Sequence, residues 1–226
     1  MSTVDIPASD LTAEDLAARV GPIPLWRIRH DPPPGEATEE DVERVRREEG
    51  PLCELINGVL VEKAVSDKTA GVAAEIIGFL HAFIRTRRLG WILGADGFVR
   101  LYGIQLRAPD VSFVRRNQRP PGGLLERGYS DTAPALAIEV FSPGNTLGEM
   151  QQKRAEFFAA GTELFWIVFP DRQEVEVWTS PDAPHTLRSE DTLDGGTVLP
   201  GFAVKVAEIF ANVDLGPVGE NELPTA

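Results

Sequence analysis

Apolar residues along this chain recur with two periods, and the changes between them mark out its elements. Across residues 69–89, Val72, Ile76, Phe79, Leu80, Phe83 and Ile84 return every three or four positions, forming the stripe of an amphipathic helix with Gly90 as its stop. Residues 146–160 predict a second helix, opened by a Thr146-x-x-Glu149 capping box and ended by Gly161. Residues 12–19 predict a short capped helix. Residues 38–49, charged nearly all round, predict an exposed helix ended by Gly50. Pro22, Pro24 and Pro32-Pro-Pro-Gly35 predict an irregular connection between those two. Residues 52–65 read as two strands hinged at Asn57-Gly58. Apolar runs over 91–101, 111–114, 136–141, 164–169 and 174–179 predict further strands. Strands and helices alternate, with hairpins among them, so the pattern predicts a single α/β domain built on a mixed sheet flanked by helices.

Two acids break into this pattern. Glu139 stands inside Pro134-Ala-Leu-Ala-Ile-Glu-Val-Phe-Ser142, bounded by Pro134 and the turn Ser142-Pro143-Gly144-Asn145. An ionised carboxylate in a buried strand is costly unless it is paired or bound to a metal. Asp110 repeats the situation in Arg107-Ala-Pro-Asp-Val-Ser-Phe-Val114. Two acids opening onto one site from neighbouring strands suit a hard divalent cation and point to metal-dependent phosphodiester chemistry. Lys153, between Met150 and Phe157 at spacings of three and four, shares their inward stripe. Each residue also has a structural alternative. Lys153 could snorkel past the stripe or pair with Glu149 four residues earlier. Asp110, after Pro109, could merely begin an edge strand, and Glu139 could form a structural salt bridge to an arginine from another element. Glu54, near the hairpin, means little alone.

Composition narrows the picture. No apolar run is long enough to span a membrane, and no basic-then-apolar leader opens the chain. The single cysteine, Cys53, excludes an internal disulfide, fits a cytoplasmic protein and reads as a buried inert thiol. His30, His81 and His185 show no metal-ligand spacing. The net charge is -13, yet residues 51–170 carry 12 acids against 13 bases. The acidic balance belongs to the ends, and the middle gathers its cations as Arg85, Arg87, Arg88 and Arg115, Arg116, Arg119. The acidic total still predicts weak non-specific affinity for DNA.

Pro109-Asp110 followed by Glu139-Val140-Phe141 is the acid pair of the PD-(D/E)XK nuclease pattern, with Phe141 at the usual lysine position. Around it stand Thr12-Ala-Glu-Asp15, Glu54-Leu-Ile-Asn-Gly-Val-Leu-Val-Glu62, Lys153-Arg-Ala-Glu-Phe-Phe-Ala-Ala-Gly161, Glu163-Leu-Phe-Trp-Ile-Val-Phe-Pro-Asp171 and Leu199-Pro-Gly-Phe202. In this order the blocks resemble the Uma-two family of restriction-endonuclease-like proteins, over about residues 10–210. The chain departs from the family pattern at Ser66-Asp-Lys-Thr69, where members often carry a histidine, and in a longer segment between Gly21 and Gly50.

The resemblance implies a restriction-endonuclease-like mixed central sheet flanked by helices. It divides the chain into an N-terminal extension (1–50), a nuclease-like domain (51–211) and a tail (212–226) expected to be disordered. It implies Asp110, Glu139 and the carbonyl of Val140 as ligands of Mg²⁺ or Mn²⁺, Lys153 as a migrated catalytic lysine and Glu54 as an accessory acid. It also makes a homodimer plausible. The expected activity is hydrolysis of DNA phosphodiesters, with Arg85, Arg87, Arg88, Arg115 and Arg116 tracking the backbone. The alternatives are a nuclease-fold binding or regulatory module without turnover, and a metal-dependent hydrolase of another phosphorylated substrate.

Overall fold

The computed structural model describes residues 11–120, 123–125 and 128–213. In chain order, helices α1 (Ala13–Val20) and α2 (Glu39–Glu48) precede the hairpin β1 (Cys53–Ile56) and β2 (Val59–Glu62). There follow α3 (Asp67–Arg87), β3 (Gly90–Leu93), β4 (Val99–Arg100), β5 (Leu106–Arg107), β6 (Val111–Arg115) and β7 (Leu136–Val140). The last elements are α4 (Leu147–Ala159), β8 (Leu164–Phe169), β9 (Glu174–Trp178), β10 (Pro184–Leu187), β11 (Thr192–Gly195), β12 (Leu199–Lys205) and α5 (Val206–Phe210).

The principal sheet runs in the order β10-β9-β8-β7-β6-β3. It is mixed because β7 and β8 are parallel, joined through α4, while the other neighbours are antiparallel. Alternation along β7 sets up the two faces. Leu136, Ile138 and Val140 pack with Val72, Ile76, Leu80 and Ile84 of α3, and with residues of β11, β12 and α5. Ala137 faces the other way, toward Met150 and Phe157 of α4. A second sheet, β2-β1-β5-β4, carries α2 on one face and the α1 segment on the other.

Several sequence expectations need correcting. The α2 helix is not wholly exposed: Val42 and Val45 are buried against the second sheet, and two apolar positions suffice to dock it. The α3 helix ends at Arg88, left-handed at φ 52°, and not at Gly90. Gly90 is needed for another reason, since a methyl group there would fall 2.0 Å from the Val114 carbonyl oxygen across the β3–β6 pair. The strand expected over 91–101 breaks into β3 and β4 at a turn where the Gly97 N–H donates to the Gly94 carbonyl. The sequence pattern does not predict β10, β11, β12 or α5.

The Thr146 capping box is half made. Thr146 Oγ1 accepts from the Glu149 N–H at 3.0 Å, but the Glu149 carboxylate turns away to Arg27 at 2.8 Å. Arg27 also donates to the Glu62 carbonyl at 2.7 Å. It is itself 1% exposed, so it ties the proline-rich connection to both the hairpin and α4. Of the tail expected over 212–226, residues 214–226 lie outside the described residues; its first residue, Asn212, donates to Glu75 on α3.

Candidate active site

The register of β6 and β7 pairs Val111 with Ile138 and Ser112 with Ala137. Carried one residue further, it sets Asp110 opposite Glu139, and directly opposed residues in an antiparallel pair share a face. The β6 strand lies between β3 and β7, so Asp110 does not begin an edge strand. One of its oxygens accepts the Val140 N–H at 2.8 Å. Glu139 lies on the α4 face with Ala137, where the Met150–Phe157 stripe presents Lys153. Phe141, on the same face, packs against Phe169 at 5.3 Å between ring centroids, so the ammonium reaches Glu139 from the helix instead.

Lys153 is 2% exposed and stands 3.1 Å from both Glu139 Oε1 and Glu54 Oε1. It is paired with two carboxylates, neither of them Glu149, which disposes of both structural alternatives for it. Glu54, fully buried, also accepts from Arg107 at 2.9 Å and from the Ala108 N–H at 3.1 Å. Arg107, equally buried, donates through Nε to Glu156 at 2.7 Å.

Lys63 completes the cluster. Immediately after β2, it donates to Asp110 Oδ1 at 2.8 Å and to the Ala108 carbonyl. Four carboxyl groups (Glu54, Asp110, Glu139, Glu156) thus face three cations (Lys63, Arg107, Lys153). Sequence reasoning missed Lys63, Arg107 and Glu156. Charge accounting was the available signal: several buried acids cannot be balanced by one lysine.

Electrostatics separates the acids. Burial pushes the Glu139 carboxyl up to about 7; the Lys153 ammonium opposes that shift, while the Asp110 and Glu54 carboxylates add to it. Burial also works to raise Glu54, but Lys153, Arg107, Lys63 and the Ala108 N–H outweigh it and hold the group well below the usual carboxylate range. Burial alone would lower Lys153, yet Glu139, Glu54 and Glu149 raise it above an ordinary lysine, so it stays charged. Glu139 is therefore the carboxyl poised to change charge near neutrality. Cys53 is buried, and burial pushes its thiol up to about 12, which makes it unreactive as a nucleophile.

Among the described residues, no group of three or more His, Cys, Asp or Glu side chains stands ready to hold a metal ion. The Asp110–Glu139 pair nevertheless fits one kind of ion. Both donors are hard carboxylate oxygens, no hydrogen bond reaches Glu139 Oε2 from the described residues, and the excess negative charge that raises Glu139 is what a cation relieves. An ion that keeps several waters and takes one or two carboxylates, as Mg²⁺ does, needs no more from the protein.

The predicted arginines lie elsewhere. Arg116 follows β6 at the end opposite Asp110, six residues away or about 20 Å at strand spacing. Arg85, Arg87 and Arg88 are at the C-terminal end of α3, on the face opposite α4. Arg87 donates to the Phe83 carbonyl and lies over the Phe83 ring, and Arg115 pairs with Glu163 at 2.9 Å.

The family model described as Uma2, putative restriction endonuclease, matches residues 39–207. The crystal structure of a putative nuclease belonging to DUF820 from Anabaena variabilis superposes on the chain with a TM-score of 0.65. That match covers 72% of this chain and 92% of the other at 17% identity, and it shows a shared fold. No curated protein matches the chain.

Proposed function

We propose that this chain, which belongs to the Uma2 putative restriction endonuclease family, hydrolyses DNA phosphodiester bonds with a divalent metal ion at Asp110 and Glu139. The observation that carries the reading is a buried ammonium, Lys153, 3.1 Å from a carboxylate that lies opposite a second one across two paired strands. When bound, Mg²⁺ or Mn²⁺ supplies Lewis acidity at the phosphoryl oxygens and an acidified water. Asp110, Glu139 and the Val140 carbonyl are the groups that would hold it.

Lys153 places a desolvated positive charge beside those carboxylates, where it stabilises charge developing on the scissile phosphate or orients a water. Glu54 acts through Lys153. Its carboxylate is engaged by Arg107, the Ala108 N–H and Lys153 itself, so it is a positioning residue and not a ligand. Arg107 and Glu156 fix Glu54 in turn.

The test is incubation of the purified protein with supercoiled plasmid and Mg²⁺ or Mn²⁺, beside Glu139→Gln. Nicking by wild type that both a chelator and the substitution abolish is the expected result. One observation favours a second reading, a nuclease-fold binding module: both acids are already held by internal ammonium groups. Absence of nicking, together with no divalent-metal binding by calorimetry, would select it.

A further inference from the structure

A cluster of cations separate from the acid site lies at the far end of the principal sheet. His81, Arg85 and Arg88, Gly90 and Ile92 of β3, and Arg116 line a cavity of about 460 Å³. Volumes in this range hold a small organic ligand, not merely an ion. The charge is one-signed. Among the described residues, the side chains of Arg85, Arg88 and Arg116 make no ion pair and no hydrogen bond, although the chain as a whole carries -13.

Complementing the dipole at the end of α3 would be the ordinary explanation for arginines there. Arg87 already does that by donating to the Phe83 carbonyl. Arg115, the other neighbour, is used up by Glu163. The remaining three arginines converge from two separated stretches of chain on one cavity, with no acid among its described lining residues. Planar guanidinium groups clustered without counter-ions suit a phosphate, which accepts their paired N–H groups.

We propose that Arg85, Arg88 and Arg116 form a binding site for the phosphate of a nucleotide unit, separate from the acid pair and on the opposite face of the sheet. The choice of a nucleotide over another anion rests on the nuclease reading. The phosphate can come from a nucleic-acid strand or from a free nucleotide. A strand held here would be anchored about 20 Å from Asp110, measured along β6.

The experiment measures binding of a labelled single-stranded oligonucleotide by fluorescence polarisation in excess chelator, with deoxyadenosine monophosphate as competitor. No cleavage is needed, so the result is independent of turnover. The Arg85→Ala/Arg88→Ala/Arg116→Ala variant changes only exposed side chains and leaves the core intact. Its affinity is expected to fall about tenfold for each arginine removed. The slope of log affinity against log salt should flatten by about 0.7 for each phosphate no longer neutralised. Glu139→Gln should bind like wild type.

Displacement by the mononucleotide would assign the free nucleotide as a sufficient ligand. Binding of the oligonucleotide alone would assign the strand. Either outcome supports the phosphate site. The proposal is overturned if wild type binds neither ligand, or if the triple variant matches wild type. It is also overturned if Arg47→Ala, an exposed control on α2, weakens binding as much. Binding by wild type with no nicking in Mg²⁺ or Mn²⁺ would count against the acid site alone.

Discussion

Lys63→Met tests whether the acid pair is built for a metal. In the structure the Lys63 ammonium is 4% exposed and holds Asp110 Oδ1 at 2.8 Å, so a cation can take that oxygen only when Lys63 releases it. A hydrogen bond between charged groups contributes about 1.5–3 kcal/mol, and every 1.4 kcal/mol is roughly a tenfold change in affinity. Removing the ammonium should therefore tighten Mn²⁺ binding about 10- to 100-fold. It also leaves four carboxyl groups facing two cations, Arg107 and Lys153, which favours a dication further. Asp110 is 18% exposed and keeps the Val140 N–H, so water can solvate it and the variant should fold. Isothermal calorimetry with Mn²⁺ gives the affinity directly, and a urea melt confirms the fold. Equal or weaker Mn²⁺ binding by a folded Lys63→Met would refute the reasoning, because the ammonium would then not occupy a metal-ligand position.

Arg107→Met should cost about 3–5 kcal/mol, because it strands Glu54 and Glu156 in the interior. With a urea m-value of about 2 kcal/mol/M the midpoint would drop by roughly 1.5–2.5 M, and a drop under about 0.5 M would mean the two acids are not charged in the fold. Trp26 is 71% exposed, and its ring edge lies so close to Gly144 that a methyl group there would stand 3.2 Å away. Buried Arg27 beside it donates to the Gly144 carbonyl and fixes the turn, which presents the rest of the ring near the loop between β7 and α4. Trp26→Ala should leave stability within about 0.5 kcal/mol while weakening single-stranded DNA binding by about 1–3 kcal/mol, the range of base stacking on an aromatic ring. Unchanged DNA affinity would remove Trp26 from the substrate surface.

What can be seen in the sequence is whatever local periodicity encodes. The α3 and α4 helices carry long stripes, β8 is a continuous apolar run, and β7 is one broken only by Glu139; both strands are buried along their whole length, so pattern alone locates them. The β10 strand has three exposed residues in four, and β12 carries Pro200 and Gly201 among alternating exposures. Their strand character comes from pairing with β9 and β11, which no window on the sequence contains. The β4 and β5 strands are two residues each, too short for any period to register.

The site divides along the same line. Asp110, Glu139 and Lys153 stand out because each conflicts with its own surroundings: an acid or an ammonium on an apolar stripe is a local contradiction. Lys63 and Arg107 conflict with nothing nearby. Lys63 looks like the charged end of a hairpin strand, and its partner Asp110 is 47 residues away. Glu54 shows how this distorts an assignment. Read alone it means little, and the resemblance makes it an accessory acid near a metal. Placed among Arg107, the Ala108 N–H and Lys153, its oxygens are already taken. Its low-lying carboxyl and the raised Glu139 carboxyl share the Lys153 and Lys63 ammonium groups, but Arg107 and the Ala108 N–H serve only the first, while the Asp110 carboxylate raises the second. Arg107 and the Ala108 N–H thereby keep Glu54 charged, while Glu139, without them and beside Asp110, titrates nearer neutrality. The difference in charge between the two glutamates is thus set in part by a residue that touches only one of them.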